Sequence, residues 1–171
     1  MPACSQAKST KNIPFHLEQK EASKKISPEE LSQKVEALIF EKTNEVHREY
    51  KLVTLKNEKV LADTARDHSR DMLKRNYLSH FSPEGKSVVD RYRKRAGKVE
   101  RSLGENLHTI SSSQGLFDPE AIAKLMMSDW MHSPSHRENL LAKQYSALGV
   151  GCVSDGERIF CTQVFGGPEG N

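Results

Sequence analysis

The 171 residues carry 26 Lys and Arg against 23 Asp and Glu, a formal charge of +3. Apolar residues make up 36% and charged residues 29%, a polar balance that still supports one folded domain with a real core. So small a charge does not call for nucleic acid, and the longest apolar run, 147–153, falls far short of the ~20 residues a spanning helix needs.

Residues 1–26 hold Lys8, Lys11, Lys20, Lys24 and Lys25 against Glu18 and Glu21, so the whole net charge sits there. They read as a flexible basic tether, polar and without a sustained period, ahead of a charge-neutral domain over 27–171. No secretory leader is visible, so the chain is cytosolic or has had a leader removed. Cys4 follows a small Ala3 and precedes a Ser/Lys/Gln-rich stretch, as the lipidated cysteine of a bacterial lipoprotein does after cleavage. It reads equally as an ordinary cysteine in a loose terminus.

Order is expected from Ser27, where Ser27-Pro28-Glu29-Glu30 offers an N-cap, a first-turn proline and a capping-box glutamate. Leu31, Val35, Leu38, Ile39 and Val46 then trace a helical stripe to about residue 50. A second helix is expected over 58–75, with His68 on its apolar face as a satisfied core or surface residue. A third is expected over 87–95, stopped by Gly97. Gly104-Glu105-Asn106-Leu107 opens a strand or loop. Asp118-Pro119-Glu120 starts a fourth helix, which Ser133-Pro134 must break, because a residue before proline avoids helical geometry. A short fifth helix, 135–141, precedes a hairpin of strands 147–153 and 158–165. Helices first and antiparallel strands last make an α+β pattern. A two-residue Gly156-Glu157 loop would set Cys152 and Cys161 opposite each other, within reach of a disulfide. Another register would set them on a diagonal.

Few constellations carry chemistry. His132 and His136 have metal-pair spacing, but Pro134 lies between them. No GxSxG elbow or HExxH motif occurs. The basic run Arg91, Arg93, Lys94, Arg95, Lys98 and Arg101 reads as a solvated helix face, since Asp90 and Glu100 dilute it and Tyr92 alone supplies an aromatic. Cys152 and Cys161 lie in strands that look buried, a poor setting for a catalytic thiol.

The remaining polar motifs resemble one family. His80-Phe81-Ser82-Pro83-Glu84-Gly85 is similar to its H-x-S-P-x-G segment, and Gly104-Glu105-Asn106-Leu107 to its G-E-N-[LI] motif. Trp130-Met131-His132-Ser133-Pro134-Ser135-His136-Arg137-Glu138-Asn139-Leu140-Leu141 resembles the signature of its bacterial branch. Leu148-Gly149-Val150-Gly151 and Thr162-Gln163-Val164-Phe165-Gly166 resemble its last two strands. This is the CAP superfamily, or SCP domain, of cysteine-rich secretory, antigen 5 and pathogenesis-related 1 proteins. The motifs keep the family's order over about residues 30–167.

The resemblance implies a three-layer α-β-α sandwich with a C-terminal antiparallel hairpin, and a secreted or envelope-exposed bacterial protein. It also implies an open cleft which in eukaryotic members is lined by two His and two Glu that can hold a divalent cation. His80 matches the first His and Glu105 the first Glu. The second pair would fall near Ser133 and at Phe160, and is lost. His80, Glu105, His136 and Ser133 are therefore the expected cleft residues. His80, Glu105 and His136 are a candidate set for a divalent cation such as zinc; otherwise they form a hydrogen-bonded network. Arg137, Asn139 and Trp130 are expected to hold the fold. The implied function is a non-catalytic binding module for a lipid, glycan or protein ligand, with no nucleic acid and with membrane attachment through a lipid on Cys4. The alternatives are a hydrolase using a metal- or Glu-activated water and a cytosolic interaction protein. Since the domain is neutral, recognition must come from the shape and lining of the cleft.

Overall fold

A computed structural model describes residues 26–170. The expected tether, with Cys4, lies outside the described residues apart from Ile26, which already packs against the core. Helix α1 (Pro28–Glu49) starts as its cap signals require: Ser27 Oγ accepts from Glu30 N at 3.1 Å and Pro28 opens the first turn. A two-residue strand β1 (Lys56–Asn57) follows, where local sequence signals alone indicate only a short break between helices. Helix α2 (Lys59–Arg75) ends at Asn76 in the left-handed region. Helix α3 (Val88–Ala96) has a complete Ser87–Asp90 capping box and stops at Gly97, φ 80°.

Strand β2 (Leu103–Ser111) carries the Gly104-Glu105-Asn106-Leu107 motif, which resolves the strand-or-loop alternative. Helix α4 (Pro119–His132) breaks at extended Ser133, and the short helix α5 (Pro134–Leu140) begins at the next residue. Strands β3 (Ala147–Ser154) and β4 (Arg158–Gly166) form the hairpin. The sheet order is β1-β3-β4-β2, with β1 parallel to β3 and the other pairs antiparallel.

Both faces of this sheet are covered, which makes three layers. On one face Leu148, Val150, Ile159 and Phe165 pack with Leu31, Val35 and Ile39 of α1 and Met126 and Trp130 of α4. On the other, Ala147 and Val164 meet Leu61 and Ala65 of α2 and Tyr92 of α3, while Phe160 and Leu107 meet Met72. Strand alternation sends successive residues to opposite layers. Trp130 is fully buried and donates Nε1–H to the Leu107 carbonyl at 3.0 Å, a contact between α4 and β2.

The hairpin turns on the two-residue loop, with Gly156 at φ 98°, and Cys152 stands opposite Cys161. The two are joined in a disulfide, and both are buried. Cys152 N–H points away from β4, to Glu36 Oε1 of α1 at 2.9 Å. The same carboxylate takes two hydrogen bonds from Arg66 of α2, so one ion pair ties both helices over the edge of β3.

Gly149 and Gly151 face α2 at a separation that admits no side chain. A Cβ on Gly151 would lie 2.1 Å from Arg66 N, and one on Gly149 2.0 Å from Ala62 N. Helix backbone therefore lies directly on strand backbone, which sets how deep α2 sits and where the loop after it emerges. Gly151→Ala should cost roughly 1–3 kcal/mol, as overpacking does. A lowered urea midpoint with unchanged slope would report it; an unshifted midpoint would mean that α2 is not seated at this depth.

Candidate functional site

Glu105 sits on β2 with its side chain turned toward the α2/α3 layer and only 3% exposed. A carboxylate so removed from water needs charged or hydrogen-bonding partners. It has two. Arg91 of α3 donates from Nη2 to Oε2 at 2.5 Å, and His80, in the loop between α2 and α3, bonds from Nδ1 to Oε1 at 2.9 Å. The carboxylate can only accept, so Nδ1 carries the hydrogen, on a side chain that is 52% exposed.

Arg91 also builds the loop. Its Nη1 donates to the carbonyls of His80 at 3.1 Å and Lys86 at 2.8 Å. His68 of α2 adds a third fastening, from Nε2 to the Ser79 carbonyl at 2.8 Å. The side chains of Leu78 and Phe81, on either side of His80 in sequence, are exposed.

On the other face of β2, Asn106 enters a buried polar network. Its Nδ2 donates to Gln163 Oε1 and to the His136 carbonyl, both at 3.1 Å. Asn139 of α5 donates to Asn106 Oδ1 at 2.9 Å and to the Glu105 carbonyl at 3.1 Å, and Gln163 donates to Thr43 of α1 at 2.8 Å. α5 is thereby pinned to the strand that carries Glu105. Arg137 works elsewhere. It lies 5.4 Å over the Tyr50 ring and donates to its hydroxyl, which joins α5 to the end of α1.

Of the expected cleft residues, His80 and Glu105 are in direct contact. His136 is half-buried, and its ring makes no hydrogen bond among the described residues. Burial holds its pKa below the ordinary value, and the neighbouring His80 and His108 push the same way. Ser133 forms the α4–α5 junction, and its side chain makes no capping bond. Among the described residues no three His, Cys, Asp or Glu side chains gather as a metal site. Both Glu105 oxygens are engaged and Arg91 already supplies positive charge, so the residues as arranged do not fit a divalent cation.

Arg91 is the site residue that sequence reasoning missed. The solvated-face reading of the basic run needs correction here. The Arg91 side chain is largely buried against Glu105, and that of Arg101, 1% exposed, pairs with Glu58 at 2.5 Å. One signal was present: Arg91 lies three residues after Val88 and next to Tyr92, on the flank of the short apolar stripe of α3.

The comparisons with known proteins agree with this architecture. The model of the cysteine-rich secretory protein family, CAP, matches residues 40–165. The chain belongs to this family. Two Bacillus subtilis proteins are similar to the CAP chain: YkwD, 33% identical over 131 residues, and the membrane protein YlbC, 32% identical over 131 residues. The alignments span 77% and 76% of this chain but 47% and 34% of those proteins, so it covers half or less of their length. An SCP-domain extracellular protein of Bacillus anthracis superposes with TM-score 0.65 at 32% identity, over 84% of this chain and 44% of that one. An outer surface protein of Borrelia burgdorferi shares the fold, with TM-score 0.68 at 16% identity over 85% and 98% of the two chains. This is thus a CAP domain of bacterial type. No helix among the described residues is long and apolar enough to cross a membrane.

Arg91→Met should leave a buried, unneutralised Glu105 and cost about 3–5 kcal/mol, the usual penalty for breaking a buried pair. Arg91→Met with Glu105→Gln should recover part of that loss in urea denaturation; equal instability of the single and double variants would show that the pair is not coupled. Burial also depresses the pKa of His68, as it does for His136. A depressed histidine takes up protons more readily unfolded, so its stabilising effect is complete above the unfolded value of about 6.5 and is lost as pH falls below it. The thermal midpoint should be flat above pH 7 and fall from pH 6.5 to 5, and His68→Gln should flatten that fall.

Proposed function

We propose that this CAP domain is a non-catalytic binding module that works outside the cell, where the Nε2 edge of His80 and the His136 ring meet a ligand. The observation that carries the reading is the state of Glu105. Its two oxygens are held by Arg91 and His80, and it is closed off from water. A carboxylate in that position orients an imidazole; it is not placed to take a proton from a water attacking a substrate. Exposed Phe81 and Leu78 beside His80 add apolar contact area to the polar edge.

Two facts support an extracellular setting. A disulfide such as Cys152–Cys161 persists in oxidising compartments and is rare in the cytosol. The similar B. anthracis protein is described as extracellular. Lipid attachment at Cys4 belongs to the same proposal.

The reading is tested by following the ring resonances of His80 and His136 in the whole chain. The probes are a mixed hexapeptide pool, chitohexaose and phosphatidylglycerol vesicles, with mass spectrometry of each probe for turnover. The expected result is a shift of both rings with at least one probe and turnover of none. Turnover that Glu105→Gln abolishes would overturn it, as would silence of both rings toward every probe.

A further inference from the structure

The two helical layers carry opposite charge. Helices α2 and α3 together hold nine Lys and Arg against four Asp and Glu. Helices α1 and α4, across the sheet, hold four Lys and Arg against eight Asp and Glu. The neutral sum over 27–171 hides this, because the layers cancel in number and not in space. A surface that approaches one layer meets mainly the charge of that layer, since physiological salt screens over about 8 Å.

The basic surplus is at the surface. Lys74, Lys86 and Lys94 are exposed and, among the described residues, enter no ion pair. The carboxylates beside them are already held by arginines: Asp67 by Arg95, Asp71 and Glu84 by Arg75, and Asp90 by Arg93. The free cations are spread over two helices and the loop between them, a distribution that suits a plane of anionic groups better than one small ligand.

That loop adds an apolar component. Phe81 is 58% exposed and Leu78 51%. Ser82, next to Phe81, lines the same groove between α2 and α3 as Lys86 and Lys94. Arg91 of α3 donates to the His80 carbonyl, and Arg75 of α2 pairs with Glu84, so the loop is fastened to both helices of the basic layer. A soluble polyanion would satisfy the lysines and offer nothing to a phenyl ring. A bilayer offers anionic headgroups and, just beneath them, hydrocarbon.

We propose that the α2/α3 layer is a docking face for an anionic lipid bilayer, with Lys74, Lys86 and Lys94 against headgroups and Phe81 and Leu78 at the acyl boundary. The acidic α1/α4 layer then faces away from the bilayer and sets the orientation. The face acts with or without a lipid on Cys4, and the proposal does not rest on the cleft reading.

The test is co-sedimentation of the whole chain with vesicles of equimolar phosphatidylglycerol and phosphatidylcholine, and with vesicles of phosphatidylcholine alone. Binding to the mixed vesicles should be at least about tenfold tighter and should weaken with salt. Removing the three charges together, with Lys74→Gln, Lys86→Gln and Lys94→Gln, should weaken it at least about tenfold. Lys51→Gln, Lys124→Gln and Lys143→Gln make the same change in net charge at exposed, ion-pair-free lysines outside this layer. They should weaken binding by less than about threefold, and residues 1–26 are the same in both sets. Thermal midpoints check that both sets fold. With Phe81→Trp, the introduced indole should shift its emission to the blue on mixed vesicles and be quenched by brominated lipid, over the constant signal of buried Trp130. The proposal is overturned by equal binding to both vesicles, by equal weakening in the two lysine sets, or by an unmoved indole on bound vesicles, which would mark a face for soluble polyanions. No readout here uses the His80 or His136 ring, so failure of this face and failure of the cleft reading are distinguishable.

Discussion

The burial of one carboxylate organises this end of the molecule. Glu105 lies on an edge strand but is closed off by the layer of α2 and α3, so its charge must be met from within the protein. Arg91 meets it, and because a guanidinium has several donors in a fixed fork, the same side chain also holds two carbonyls of the loop before it. The loop position of His80 therefore follows from the neutralisation of Glu105. Pairing, loop closure and presentation of an imidazole edge are one arrangement.

A second set of polar contacts does comparable work on the opposite face of the same strand. Asn106 and Gln163 are fully buried amides that bond each other and reach α5 and α1 through Asn139 and Thr43. Buried amides left unpaired would be costly, so the correct seating of α5 is coupled to the correct register of β2 against β4. Strand alternation makes this division possible: Glu105 goes to one layer and Asn106 to the other, and the motif that joins them serves both. The backbone approach of α2 at Gly149 and Gly151 supplies the remaining constraint, since it sets the height at which His68 and the loop beyond it stand over the sheet.

The charge pattern gains meaning from this arrangement. A domain with balanced charge has little long-range field. Asp67, Asp71, Glu84 and Asp90, on and between α2 and α3, are each matched by an arginine. Around His80 the carboxylate of Glu105 is already neutralised, and the imidazole stands near exposed Phe81 and Leu78.

Much of this was legible in the chain itself. Helix starts at Ser27, Ser87 and Asp118 and the break at Ser133 follow from capping and proline sterics, which are local and act the same in any fold. The order of motifs was enough to indicate the CAP fold and to single out His80, Glu105, Trp130 and Asn139. Other features required the third dimension. Opposition of Cys152 and Cys161 depended on a loop register that two readings of the turn allowed. The two-residue strand β1 exists only because β3 is there to pair with it. Arg91 and Arg101 looked like solvated charges because a sequence shows the sign of a side chain but not its partner. Local propensity thus determined the elements, and the order of motifs pointed to their family. Tertiary structure alone decided which charges were buried, because burial and pairing depend on residues far apart in the chain.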